Sequence, residues 1–247
     1  MINRIPLLLP LLAFVLSGCD AIEESLNAER IRGSGRVVQE KRSVSGVTEV
    51  RLATVGELNV QQGSTESLTV EAEDNLISRI RTDMEGGTLV IRVDRGVSIS
   101  PTAPVRYDLT VRELRELELS GSGKIHAAPL HSDEFSVRIP GSGDIRLDQL
   151  EANSLTAEIS GSGKITVPGK VVSQKVRISG SGDYDGRSLQ SRSADISVSG
   201  SGDSTVWVQD DLSAHISGSG TVDYYGNPKI VKHISGSGGV HNLGDHP

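Results

Sequence analysis

The sequence predicts an all-β chain wound as a parallel β-solenoid, a β-helix-like stack of coils, and three observations carry that reading. The triplet Gly-Ser-Gly begins at residues 121, 141, 161, 180, 200, 218 and 236, at spacings of 20, 20, 19, 20, 18 and 18. Around each triplet apolar residues alternate with polar ones, the period-two signature of half-buried strands. Before the turns stand Leu117 and Leu119, Val137 and Ile139, Ala157 and Ile159, Val176 and Ile178, Ile196 and Val198, Ala214 and Ile216. After them stand Ile125, Ile145, Ile165 and Val222. One unit of 18–20 residues cannot bury its own apolar face, whereas stacked units can. The third observation is charge. Glu118, Arg138, Glu158 and Arg177 occupy one outward position of successive units, and Lys124, Asp144, Lys164 and Asp183 another. Both series alternate in sign, as residues directly opposite on paired strands prefer.

About seven C-terminal Gly-Ser-Gly rungs are thus expected over residues 113–247, preceded by looser β rungs over 36–112, the two forming one continuous domain. The corner glycines are Gly121, Gly123, Gly141, Gly143, Gly161, Gly163, Gly180, Gly182, Gly200, Gly202, Gly218, Gly220, Gly236 and Gly238. Their expected role is to supply positive φ at the corners. Residues 50–58 read as a worn copy of 117–125. Strands are expected at 67–72, 88–93 and 105–111, with Gly86-Gly87 as a turn. Residues 74–84 are the one place for a short helix, with strand and loops the favoured reading. An eighth triplet, Gly33-Ser34-Gly35, stands apart.

The N-terminus reads as an address. Arg4 precedes an uncharged apolar run over 5–16, shorter than the roughly 20 residues a spanning helix needs and interrupted by Pro6 and Pro10. Leu16-Ser17-Gly18-Cys19 then resembles a bacterial lipobox, predicting a lipoprotein signal peptide over 1–18, acylation of Cys19 and a tether over 19–35. Aspartate after the cysteine, here Asp20, is a sorting residue in lipoproteins of the enterobacterial type. The chain is expected to be exported and held on the extracytoplasmic side of an envelope membrane.

Composition excludes several classes. Glycine is 28 of 247 residues, above the usual share of roughly 7%. The single cysteine rules out an internal disulfide framework or a multi-cysteine metal site. A net charge of −7 opposes nucleic-acid binding. Gly123-Lys124 and Gly163-Lys164 lack the upstream glycine and following hydroxyl of a phosphate loop. The Gly-Asp pairs at 143, 182 and 202 recur at about twice the nonapeptide calcium period. His215 and His233 fall in one outward column and are the metal candidates, but two ligands are fewer than zinc takes, and an exposed surface pair is the plainer reading. Asp183, Asp185 and Asp203 are the acids an enzyme would use. Near-constant coil length leaves no room for loops that would wall a cleft, so the chain reads as non-enzymatic, with no cofactor. Eight residues past the leading serine lie Arg187, Trp207 and Tyr225, read as a stacked cation–π ladder on consecutive rungs and as a candidate surface-binding patch.

The ordered motifs Ser45-Gly46-Val47-Thr48-Glu49-Val50, Gly56-Glu57-Leu58-Asn59-Val60, Gln62-Gly63, Ser67 to Leu76 and Gly87-Thr88-Leu89-Val90-Ile91, followed by the Ser-Gly-Ser-Gly units, resemble the bacterial auto-transporter adhesin head GIN domain family. The resemblance covers residues 36–240. It implies an exported solenoid-like domain, often on a lipoprotein, and supplies neither catalytic residues nor a ligand. The partners expected are a membrane at the anchor and an envelope glycan or surface protein at the exposed face. Two rival readings are a scaffold that assembles as a homo-oligomer through its open solenoid edge and a glycan-processing enzyme.

Overall fold

The computed structural model describes residues 28–247, so the leader, Cys19 and Asp20 lie outside the described residues. Where apolar and polar residues alternate, strands form in chain order. They are β1 (Glu29–Arg32), β2 (Val37–Arg42), β3 (Glu49–Leu52), β4 (Glu57–Gln62) and β5 (Ser67–Glu73), then the one-turn helix α1 (Asp74–Ile77). Next come β6 (Ile80–Glu85), β7 (Thr88–Val93), β8 (Val97–Ser100) and β9 (Arg106–Val111). The regular part follows with β10 (Glu116–Leu119), β11 (Lys124–Ala127), β12 (Leu130–Ile139), β13 (Asp144–Leu147), β14 (Leu150–Ile159), β15 (Lys164–Thr166) and β16 (Gly169–Ile178). It ends with β17 (Asp183–Gly200), β18 (Asp203–Gly218), β19 (Thr221–Tyr225), β20 (Lys229–Gly236) and β21 (Gly239–Asn242). Residues 74–84 hold both alternatives, a helical turn and then a strand. Within the stretch expected to be a tether, Glu29–Arg32 forms a strand that pairs in parallel with β8.

From β10 to β19 every strand pairs in parallel with the strand one coil later, β20 and β21 forming the last coil, which gives about six turns between residues 116 and 242. Coils lie in register, so each interior column is continuous. Val50, Leu117, Val137, Ala157, Val176, Ile196 and Ala214 stack in one of them, all almost fully buried. Residues 50–58 do form a coil beneath the regular part: Val50 lies against Leu117 and Leu58 against Ile125. Beyond it the ladder reverses. β7 and β9 still run parallel to β3 and β4, but β6 pairs antiparallel with β7, β5 with β9, and β2 with β5.

The alternating charges stack as expected and extend further. Arg51 reaches Glu118 at 3.0 Å, Arg138 reaches Glu158 at 3.5 Å, and Arg177 reaches Glu158 at 3.3 Å. In the second series Lys124, Asp144, Lys164 and Asp183 are successive partners, with Glu57 before them.

The corner glycines correct the expectation about φ. Among the fourteen, only Gly200, Gly218 and Gly236 have positive φ, at 144°, 137° and 126°. The common requirement is close approach of successive coils. A Cβ on Gly161 would lie 1.9 Å from the Gly141 carbonyl oxygen, and one on Gly143 would lie 2.2 Å from that of Gly123. Glycine is needed because backbone meets backbone at each corner, which leaves no room for a side chain on the inner side.

Candidate functional site

Registers place one outward column across the short stretch that opens each coil. His131 pairs with Glu151, Glu151 with Lys170, Lys170 with Gln190, Gln190 with Trp207, and Trp207 with Tyr225. Its foot is tied to the coil below, where the His131 N–H donates to Gln62 Oε1 at 2.8 Å. The His131 ring lies 3.2 Å from the Glu151 carboxylate. Beside the column runs an open groove of about 630 Å³, with Ala152, Val171 and Val172 as apolar lining and Asn153, Arg192 and Gln209 as polar lining. Arg192 is fixed by Asp210 at 2.9 Å.

The ladder expected of Arg187, Trp207 and Tyr225 is corrected by this register. Trp207 and Tyr225 are partners, but Arg187 is not in their column. Pairing jumps from Gly186–Val206 to Gln190–Trp207, leaving residues 187–189 as extra chain on β17. One residue is returned further on, where Ser191–Val208 is followed by Ser193–Asp211. The balance of two residues matches the drop in triplet spacing from 20 to 18. A constant offset from the serine therefore lands on an unpaired bulge residue of β17 at 187 and on a paired strand residue at 207. The Arg187 side chain bonds Asp185 at 2.7 Å, which holds its guanidinium above the ordinary value.

A residue the sequence did not single out completes the cluster. His246 stacks on Trp207, with ring centroids 3.8 Å apart and planes 14° apart, and meets Tyr225 edge-on at 5.5 Å. Its Nε2 lies 2.9 Å from the Arg187 carbonyl oxygen. The segment is carried there by main-chain bonds, Leu243 N–H to the Tyr224 oxygen at 2.8 Å and Gly226 N–H to the Gly244 oxygen at 2.9 Å.

Behind Trp207 lies a buried polar chain. Tyr184 donates to Gln174 Oε1 at 3.0 Å, Gln174 Nε2 donates to Ser191 Oγ at 2.8 Å, and Ser191 donates to the Trp207 carbonyl at 3.0 Å. Burial raises the Tyr184 hydroxyl far above its ordinary value, so it acts only as a neutral donor. This chain pins the bulged strand from inside. A signal for it was present: Gln174 stands in the interior column of Phe135 and Leu155.

His215 and His233 are neighbours as expected, stacked at 5.0 Å with planes 9° apart. Among the described residues, no group of three or more His, Cys, Asp or Glu side chains is placed to hold a metal. Asp185 is held by Arg187, and Asp203 accepts the Thr221 N–H at 2.9 Å. Among the described residues no helix is long and apolar enough to cross a membrane.

Comparison with solved structures supports the architecture. An adhesin described as putative, from Bacteroides fragilis, matches with a TM-score of 0.83 at 21% identity, over 86% of this chain and 100% of that one. A similarly described adhesin from Parabacteroides merdae matches at TM-score 0.71 and 20% identity, over 87% and 100%. A structure described as a putative lipid binding protein, from Parabacteroides distasonis, matches at TM-score 0.73 and 26% identity, with the same coverage. No curated protein matches the chain. The family model described as "Putative auto-transporter adhesin, head GIN domain" matches residues 46–228, and the chain belongs to that family.

Proposed function

We propose that this protein is an exported lipoprotein, tethered through Cys19 to an envelope membrane, whose solenoid is a rigid, non-enzymatic surface for binding or adhesion. The observation that carries this reading is the in-register stacking of outward side chains. Each coil repeats the same side-chain directions, so a partner meets continuous columns rather than a cleft. The backbone of each coil is satisfied by its neighbours, which makes the surface stiff. Ligand contact on a stiff surface costs little ordering entropy. Dual or triple acylation at Cys19 gives stable anchoring where one chain would not.

The test has two arms. Cys19→Ala is expected to move the protein from the membrane fraction to the soluble fraction. Cells carrying the wild-type protein are expected to adhere to envelope or host surfaces better than cells lacking it. Unchanged fractionation and unchanged adhesion would remove the reading. Product release from envelope polysaccharides, abolished by Asp183→Asn with Asp203→Asn, would replace it with an enzyme.

A further inference from the structure

The corrected column has a chemistry of its own. Six outward residues, His131, Glu151, Lys170, Gln190, Trp207 and Tyr225, stand one per coil. At a strand spacing of about 4.8 Å they span on the order of 24 Å along the solenoid axis. The first four combine donors and acceptors, and Glu151 and Lys170 are opposite charges on adjacent coils, so the stretch carries little net charge. A polyanion would run onto Glu151, and a polycation onto Lys170. A peptide strand would seek unpaired main-chain groups, which the middle of a sheet face lacks. What fits is an uncharged chain with hydroxyl groups along its length and apolar C–H faces between them. Those faces would rest on exposed Val172 and half-buried Ala152, since Val171 beneath them points into the core. At the upper end Trp207 supplies an aromatic plane, and that plane already carries a flat ring, His246, at stacking distance.

We propose that this column binds a linear neutral glycan lying along the solenoid axis, with its terminal sugar on Trp207 in the place His246 now takes. The proposal rests on the binding reading above and gives it a site and a ligand class. One extended sugar unit advances by about the height of one coil, so successive sugars meet successive coils of the column in step. The 242–247 segment acts as an intramolecular competitor: its ring leaves Trp207 when the glycan arrives.

Trp207 is the only tryptophan in the chain, so its fluorescence reports this subsite directly. The experiment titrates the full chain in detergent with cellohexaose and chitohexaose, reading fluorescence and calorimetric heat. The matching disaccharides and a heparin oligosaccharide serve as comparisons, and melting curves establish that each variant is folded. At least one hexasaccharide is expected to shift the Trp207 emission and to bind at least about tenfold more tightly than its disaccharide. Gln190→Ala and Glu151→Ala should each weaken it about tenfold, the loss of a charge-assisted or fully used hydrogen bond. His246→Ala should tighten it by about fivefold, since the competing ring is gone. Binding by neither hexasaccharide, equal binding of the disaccharide or of heparin, or binding unaffected in folded Gln190→Ala and Glu151→Ala would overturn the proposal. Should adhesion persist in cells carrying those two substitutions, this site falls while the adhesive reading stands. Loss of adhesion on deleting the protein is scored separately.

Discussion

The two ends of the solenoid treat exposed strand edges in opposite ways. At the N-terminal end the parallel ladder changes direction, and antiparallel β6, β5 and β2 lie over what would be the next coil. Ion pairs cross that hairpin, Arg92 to Asp83 at 2.6 Å and Arg81 to Asp94 at 2.5 Å. Glu73, fully buried, accepts the Gly35 N–H at 2.6 Å, the Thr102 N–H at 2.9 Å and the Thr102 hydroxyl, tying three segments together. The eighth triplet therefore serves as a clasp for this carboxylate, and a Cβ on Gly33 would collide with it. At the C-terminal end β20 and β21 form the last coil, with Ile230, Val231 and Ile234 exposed at 38%, 56% and 42%. There the interior column that runs up to Ala214 ends in Lys232. An inward charge on an open edge is a known deterrent to further strand pairing. One end is covered by antiparallel strands, whereas the other keeps an exposed strand with Lys232 at the end of an interior column.

Because each coil contacts only its neighbours, a lesion should matter by position. Gly161→Ala forces a Cβ against the Gly141 carbonyl with coils packed on both sides. It should cost about 1–3 kcal/mol, the usual range for overpacking, and lower Tm by about 2–4 °C for each kcal/mol. Gly238→Ala meets the Gly220 oxygen at 2.4 Å, yet lies in the last coil. It should fray β21 with little change in the main transition. Calorimetry of both variants checks this, and equal Tm losses would remove the nearest-neighbour picture.

Acid should loosen the closed end first. Glu73 is held below the ordinary carboxylate range chiefly by the Thr102 hydroxyl, Asp74 by the Ser34 hydroxyl and then Arg36, and Asp94 by Arg81. A carboxyl with a lowered folded pKa contributes stability above its unfolded value, and loses it as pH falls through the folded value. The unfolded values are about 4, so the loss begins below about pH 4. Hydrogen exchange at pH 7 and pH 3 should show protection falling in 33–42 and 67–74 before it falls in the coils from β12 to β18. Uniform loss would contradict the assignment.

The regular coils were legible because each obeys one rule repeated: alternation, triplet and charge sign all recur with the coil, so register followed from counting. The worn coil at 50–58 was readable for the same reason. Counting failed where coil length changes. The extra residues 187–189 moved Arg187 out of the column, and a polar break in two interior columns, Gln174 and Tyr184, was the available warning. Close contact between coil backbones also could not be told from a φ requirement, since both select glycine. The clasp around Glu73 and the placement of His246 depend on contacts 38 and 59 residues apart in sequence with no periodic trace.

If Lys232 alone keeps the open end from pairing, replacing it should change association more than stability. Lys232→Ile extends the interior column with an apolar residue beside Ile230 and Ile234. Light scattering at rising concentration is expected to show dimers or larger species for this variant and far fewer for the wild type. Lys232→Arg, which keeps the charge, should behave as wild type. Equal association of all three would return the open edge to the scaffold reading, with no charge guarding it.

The smallest expected effect lies in the ladder that joins the two ends. Its charged members run Arg51, Glu118, Arg138, Glu158 and Arg177, and then give way to Ser197, His215 and His233 toward the open end. Arg138 sits between acids, with Glu116 at 3.2 Å and Glu158 at 3.5 Å. Arg138→Glu turns attraction into repulsion on both sides, and each exposed cross-strand pair is worth about 0.2–1 kcal/mol. Adding Glu158→Arg restores opposite charges between the two positions but sets the introduced guanidinium against Arg177, so the double variant should recover only part of the loss. His233→Ala, at the end of the same column without carboxylate or guanidinium partners, should stay within about 0.5 kcal/mol of wild type. Denaturant midpoints measured at low and high salt separate these cases. The ladder effect must shrink as salt rises, because screening acts on exposed charges, whereas a change in packing at position 138 would persist.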